Sequence, residues 1–118
     1  MRLERLVGVY NADGSIRGEL AYLIGRARGT AHCALCDITH GRLRRRADFD
    51  DACRGLAVPL ELRHRDEVDE NVRAAAGGSY PCVVGIGAAG AWVVMDRDDL
   101  DACAGDPATL VERLNAAV

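Results

Sequence analysis

The sequence has no lysine, few aromatic residues and no long hydrophobic run. All fifteen basic residues are arginine, and with eighteen acidic residues they give a formal net charge of −3. This balance provides no general electrostatic attraction to nucleic acid or to anionic lipid. Aromatic residues make up only 4% of the chain, which argues against a base-stacking surface for single-stranded nucleic acid. We therefore expect neither nucleic acid nor a membrane as a partner.

No stretch approaches the roughly 18 apolar residues of a membrane-spanning helix, and the segment after Met1 lacks the apolar core of a signal peptide. These absences predict a cytoplasmic protein. Five cysteines in a reducing compartment are not expected to form a disulfide framework, and the odd number leaves one without a disulfide partner. Closely spaced cytosolic cysteines are more typical of metal ligands or redox groups.

The chain has 118 residues, 49% of them hydrophobic, which suits one globular domain spanning residues 1–118. Hydrophobic periodicity predicts strands at 3–10, 59–64, 82–86 and 91–95. It predicts helices at 16–27, 48–56, 66–76 and 96–103, and a last helix that begins at Asp106–Pro107 with Val118 on its inner side. The order predicts an α/β domain with a mixed sheet of about four strands, flanking helices and a Cys/His- and Arg-rich insert at 30–47.

The order of these elements resembles the thioredoxin-like fold. Residues 6–14, LVGVYNADG, followed by an amphipathic helix that ends in arginines, are similar to the opening of DCC-type thiol–disulfide oxidoreductases. The resemblance implies a right-handed βαβ half, a C-terminal β-hairpin and a cis proline at Pro81. Those families place a Cys-x-x-Cys in the loop before the first helix. Here residues 11–15 contain no cysteine, and the Cys-x-x-Cys is displaced beyond the helix, to Cys33 and Cys36.

The segment from His32 to His40 is the strongest candidate for chemistry. Cys33 and Cys36 have the spacing at which two thiolates bind one metal ion across a tight turn. His40 reaches the same point if the segment is helical, and His32 is an alternate ligand. Zinc is the first expectation, although thiolate and imidazole also suit copper(I) and iron. The fourth ligand is left open among Cys53, Cys82, His64 and water.

The same thiols also fit a thiol–disulfide oxidoreductase. A helix N-terminus near Thr30, the neighbouring His32 and the following arginines would lower the pKa of Cys33, so that Cys33 attacks and Cys36 resolves. A third hypothesis is a non-catalytic, thioredoxin-like module that binds a protein partner and uses both cysteines only for packing.

Four arginines follow the Cys/His segment, at Arg42, Arg44, Arg45 and Arg46. A basic cluster of this kind binds a phosphate group or an acidic partner in some proteins. We interpret this one as a solvated face that forms ion pairs with the acidic residues following it in the sequence.

Overall fold

A computed structural model describes residues 3–11, Leu35 and residues 47–118. In chain order the elements are β1 (Arg5–Tyr10), α1 (Ala47–Cys53), β2 (Leu60–His64), α2 (Glu70–Ala76), β3 (Cys82–Gly87), β4 (Gly90–Met95), α3 (Arg97–Ala102) and α4 (Pro107–Ala117). The helix predicted at 16–27 and most of the insert predicted at 30–47 fall outside the described residues. No helix in the described part of the chain has the length and apolar character needed to cross a bilayer.

The four strands form one mixed sheet in the order β2–β1–β3–β4. β1 is parallel to β2, with Gly8 paired to Leu62, and antiparallel to β3, with Gly8 paired to Val83. β3 and β4 are antiparallel and form a tight hairpin. The structure therefore confirms the predicted α/β class and the mixed four-stranded sheet. Because β1 and β2 are parallel, the chain between them must cross from one end of the sheet to the other.

Side chains alternate along β1, so the sheet has two buried faces. Leu6 and Tyr10 lie on one face, which we call face A, and Val7 and Val9 lie on the other, face B. The helices α1, α3 and α4 cover face A with Phe49, Leu100, Leu110 and Leu114. Helix α2 covers face B with Val72 and Ala76. Both faces of β1 are thus removed from water.

Local sequence signals explain where the last two helices begin. Asp96 Oδ1 accepts a hydrogen bond from the Asp99 backbone N–H at 2.9 Å, and Asp99 Oδ2 accepts one from the Asp96 N–H at 3.0 Å. This reciprocal pair is a capping box at the start of α3. Helix α4 begins at Pro107, after Asp106 accepts a hydrogen bond from the Ala108 N–H at 3.3 Å.

The prediction that a helix begins at Asp66 is wrong, because α2 begins at Glu70. The residues before α2 form a turn instead. The Glu67 N–H donates to the His64 carbonyl oxygen at 2.9 Å, and Glu67 Oε1 accepts from the His64 N–H at 3.3 Å. Val118 is also misplaced by the sequence pattern. It follows the end of α4 and is 40% exposed rather than turned toward the core.

Candidate functional site

The predicted metal ligands Cys33, Cys36, His40 and His32 lie outside the residues that the structure describes, and so does the basic cluster at 42–46. Leu35 is the one described residue between them. It is helical and 0% exposed, and it belongs to the hydrophobic cluster on face A. Leu35 therefore contacts the sheet on face A.

Leu35 packs over Gly8 in the middle of β1. A Cβ built on Gly8 would lie 3.2 Å from Leu35 Cδ2, 3.0 Å from Leu62 Cδ2 and 3.7 Å from Leu60 Cδ1. Three leucines therefore converge where β1 has no side chain. The Cys-x-x-Cys spacing points to the polar neighbours of Leu35 and gives no sign of Leu35 itself. A glycine inside an apolar strand was the available signal, since it often marks a close approach by another group.

Cys82 lies on face B, with Val7 and Val9. Its side chain is 1% exposed, and burial raises the pKa of the Cys82 thiol to about 11. The thiol is therefore protonated at neutral pH, and the sheet separates it from Leu35 on face A. Both facts argue against Cys82 as a metal ligand and as a nucleophile.

Pro81 is buried directly before β3, and the Tyr80–Pro81 peptide bond is cis. The Arg97 Nε–H donates to the Tyr80 carbonyl oxygen at 3.2 Å, which joins this turn to α3. A cleft of about 420 Å³ lies beside the turn, lined by Ala76, Ser79, Cys82, Val93, Val94, Asp96 and Asp99. The cleft carries no ionised thiol, because Cys82 is held in its protonated form.

His64 ends β2 and has partners on two sides. Its Nδ1 lies 2.6 Å from Glu67 Oε1, and its ring lies against that of Tyr10, with 5.4 Å between the centroids and 52° between the planes. The side chain is 25% exposed. Because Nδ1 is engaged with Glu67, a metal bond from His64 would have to come from Nε2.

Cys53 is the last residue of α1 and is half-buried against the cluster on face A. It borders a cleft of about 420 Å³ whose other lining residues are Leu56, Ala57, Val58, Pro59 and Leu60. Leu60 also approaches Gly8, the position that Leu35 covers. Cys53 and Leu35 therefore belong to the same side of the sheet, unlike Cys82.

Cys103 is a buried structural thiol, 2% exposed, on face A. Its Sγ–H donates to the Asp99 carbonyl oxygen at 3.5 Å. Burial is the main cause that raises the pKa of the Cys103 thiol; the Arg113 charge opposes the rise and the Asp106 and Asp99 charges add to it. A thiol held in this form is neither a reactive nucleophile nor a ready metal ligand.

Within residues 3–11, 35 and 47–118, no three His, Cys, Asp or Glu side chains are grouped so that they could hold a metal ion. No protein-family model matches the chain, and no curated protein and no solved structure matches it either. The proposed function therefore rests on the chemistry of the residues and on where Leu35 meets the sheet.

Proposed function

We propose that this chain is a small cytoplasmic protein that binds one thiophilic metal ion, zinc first, through Cys33, Cys36 and His40, with His32 as the alternate ligand. The burial of helical Leu35 over Gly8 carries this proposal. Cys36 directly follows Leu35, and Cys33 precedes it by two residues. The Cys-x-x-Cys is therefore adjacent in the sequence to a residue that packs on face A, and this attachment would reduce the chain entropy lost when an ion binds.

The helical conformation of Leu35 supports a shared ligand face. At about 100° per residue, a helix over residues 33–40 with Leu35 toward the sheet directs Cys36, His40 and Cys33 about 100°, 140° and 160° away from Leu35. These three residues would share a stripe about 60° wide that is turned away from the core. Cys33 and His40 would be about 10 Å apart along a straight helix, so all three bind one ion only if the helix ends or bends between them. His32 would fall about 60° from Leu35 and off the stripe, which suits an alternate ligand. Two thiolates and one imidazole leave one position open in a tetrahedral zinc site.

We also propose that the domain is a variant of the thioredoxin-like fold. The strand order β2–β1–β3–β4, with β1 parallel to β2 and a hairpin of β3 and β4, supports this. Pro81 lies directly before β3, as the resemblance implies. The loop after β1 begins at Asn11 and lacks the usual cysteine pair. In this variant the thiols move to the Cys33–Cys36 segment, which Leu35 anchors.

A thiol–disulfide oxidoreductase is the second candidate function. Its support is the strand register: Gly8, where Leu35 packs, pairs with Val83, two residues after Pro81. A Cys-x-x-Cys next to Leu35 would therefore be near the turn that holds Pro81. In this alternative Cys33 attacks a disulfide of the substrate and Cys36 resolves the mixed disulfide.

Elemental analysis of the full chain, purified without added metal or chelator, tests the first proposal. We expect about one zinc, copper or iron per chain, with at least two thiols that react with an alkylating reagent only after a chelator is added. Cys33→Ser should lose the ion. Cys103→Ala, which removes a buried thiol remote in sequence from the site, should keep it.

Two results would separate the candidates. Wild-type protein that contains no metal, takes up none on addition of zinc and has reactive thiols at Cys33 and Cys36 would overturn the metal site. If such protein forms a Cys33–Cys36 disulfide that is reversibly reduced, the oxidoreductase replaces it. If the protein neither binds metal nor forms this disulfide, the remaining hypothesis is a non-catalytic interaction module.

A further inference from the structure

We propose that a second copy of this chain pairs with the outer edge of β4, antiparallel and across a twofold axis, so that the two sheets join into one. The inference does not depend on the proposed metal site, because it uses only the sheet and its edges. In the part of the chain that the structure describes, β4 is an edge strand whose one neighbour in the sheet is β3. An edge strand offers a row of main-chain hydrogen-bonding groups to a further strand.

The main-chain groups of Ala91 and Val93 are directed outward from the sheet. Gly90 pairs with Gly87 across the two-residue turn of the β3–β4 hairpin. In such a hairpin the pair that flanks the turn exchanges hydrogen bonds, and every second pair after it does the same. Ala91 and Val93 fall between these pairs, so their N–H and C=O groups point away from β3. Among the described residues, neither one has a main-chain hydrogen-bond partner outside the sheet.

β4 lacks the features that normally keep an edge strand from pairing. Residues 74–95 contain no charged side chain, although 28% of the whole chain is charged. β4 contains no proline, and Trp92, Val93 and Val94 are residue types that favour strands. Soluble proteins usually place charged residues or proline on an edge that stays exposed to water. The composition of β4 is therefore typical of an edge that is covered.

The opposite edge of the sheet, at β2, is protected by charge. Glu61 Oε2 accepts from Arg5 Nη1 at 3.2 Å and from Arg63 Nη2 at 3.4 Å, so that ion pairs lie across the first two strands. A strand added beside β2 would have to desolvate these charges. The contrast between the two edges identifies β4 as the one suited to pairing.

The side chains of β4 are complementary to those of a second β4. Val93 pairs with Val84 and so lies on face B, where its side chain is 37% exposed. With the twofold axis at Val93, the two exposed Val93 side chains would contact and cover one another. On face A, Trp92 of each copy would lie beside Val94 of the other, and both already pack against the face A cluster. Apolar side chains would thus meet apolar side chains on both faces.

Charge decides the direction of pairing. Asp96 directly follows β4 and is the first charged residue after it. In the antiparallel arrangement each Asp96 lies opposite Gly90 of the other copy, and the two carboxylates are about 20 Å apart along the strands. This separation exceeds the distance over which exposed charges interact in physiological salt. Parallel pairing would bring the two carboxylates together, so we infer the antiparallel twofold arrangement.

Sedimentation equilibrium of the full chain, with a thiol reductant to prevent disulfides between chains, tests the inference. Two short strands form a small interface, so we expect a dimer with a dissociation constant between about 1 μM and about 1 mM. Val93→Lys places two like charges at the twofold axis and should raise this constant more than about tenfold. Val118→Lys is the matched control, because Val118 is 40% exposed but follows α4, and it should leave the constant unchanged.

A second measurement uses the wild-type chain and does not depend on a variant folding. Amide hydrogen exchange at Ala91 and Val93, resolved by NMR, should slow more than about tenfold as the protein concentration rises through the dissociation constant. Concentration-dependent protection at these two amides supports the β4 edge specifically.

Four results would overturn the inference. The first is a wild-type chain that stays monomeric up to about 1 mM. In such a monomer, slow exchange of Ala91 and Val93 at every concentration would show that another part of the same chain covers the edge. Protection of these amides by an added Thr-Val repeat peptide, but not by higher protein concentration, would assign the edge to a foreign strand. A dimer that Val93→Lys does not weaken, and that does not protect these amides, would pair through a different surface.

Discussion

The side chain of Leu35 occupies the space into which a side chain at Gly8 would point, with Leu35 Cδ2 3.2 Å from the position of a Cβ there. Position 8 is in the middle of β1, one of the two strands that have neighbours on both sides. Leu35 adjoins Cys36 in the sequence, so if the proposed function holds, a change at Gly8 should affect both folding and ion binding.

Replacing Gly8 with alanine should test this coupling. The added methyl overpacks the space shared by Leu35 and Leu62, so we expect a loss of about 1–3 kcal/mol in the free energy of unfolding. It should also weaken zinc binding, because it displaces Leu35. Gly85→Ala is the control: its Cβ would lie 2.6 Å from Leu3 Cδ2 and 2.9 Å from Val94 Cγ1, so it should destabilise the fold without lowering zinc affinity. Urea unfolding of the metal-free proteins and competitive zinc titration measure the two quantities, and equal zinc affinities for the two variants would contradict the coupling.

Leu35→Ala removes the anchor while leaving all four predicted ligands in place. We expect about 2–5 kcal/mol of destabilisation from the lost burial and the cavity left behind, together with a clear fall in zinc affinity. Leu110→Ala truncates a leucine that is equally buried on face A, at 0% exposed, but belongs to α4. Thermal unfolding should show similar losses for both variants. Isothermal titration with zinc should distinguish the two variants. An unchanged zinc affinity in Leu35→Ala would show that zinc binding does not depend on the burial of Leu35.

The raised pKa of Cys82 predicts a loss of stability in alkaline solution. The ordinary pKa of the thiol is 9.0 and burial raises it to about 11. Above pH 9 the unfolded chain therefore releases the proton while the folded chain retains it, which favours unfolding. Relative to Cys82→Ala, wild type should be unaffected below about pH 9 and lose roughly 2 kcal/mol by about pH 11. Urea unfolding at a series of pH values measures the difference between the two proteins, and a difference that stays constant with pH would show that Cys82 is not held as a thiol.

The capping box at the start of α3 predicts a modest, local effect. Asp96→Ala removes the side chain that accepts from the Asp99 N–H, and we expect about 1 kcal/mol of destabilisation. Asp98→Ala removes a carboxylate from the same first turn without removing the cap, and should cost less. Thermal unfolding of the two variants and of wild type measures both losses of stability. Equal losses in Asp96→Ala and Asp98→Ala would show that the capping box does not stabilise the fold.

Local signals in the sequence predicted much of this fold. Asp96 and Asp106 were recognisable caps, Gly77 marks the end of α2 with a φ of 61°, and the strands followed from short apolar runs. The error at Asp66 arose because the acidic residues after β2 are typical of a helix start. Glu67 instead turns its side chain back to His64, and this contact competes with the helix.

The candidate site was predictable only in part, since residue spacing indicates candidate ligands but not the residues that pack around them. Cys33, Cys36 and His40 are visible as a pattern, whereas the burial of Leu35 depends on Gly8 and Leu62, far away in the sequence. The contrast between Cys53 on face A and Cys82 on face B depends in the same way on strand register and helix packing. No local pattern distinguishes two cysteines that lie on opposite sides of a sheet.

The position of β1 between β2 and β3 has a consequence for biosynthesis. Strand β1 acquires its parallel neighbour only when residues 60–64 have been made, and its antiparallel neighbour only at residues 82–87. The Cys/His segment is thus translated before Leu62 is available to close around Leu35. An ion that bound to the nascent chain would at first be held by a segment that has no sheet to pack against. Completion of the sheet would then stabilise the bound segment.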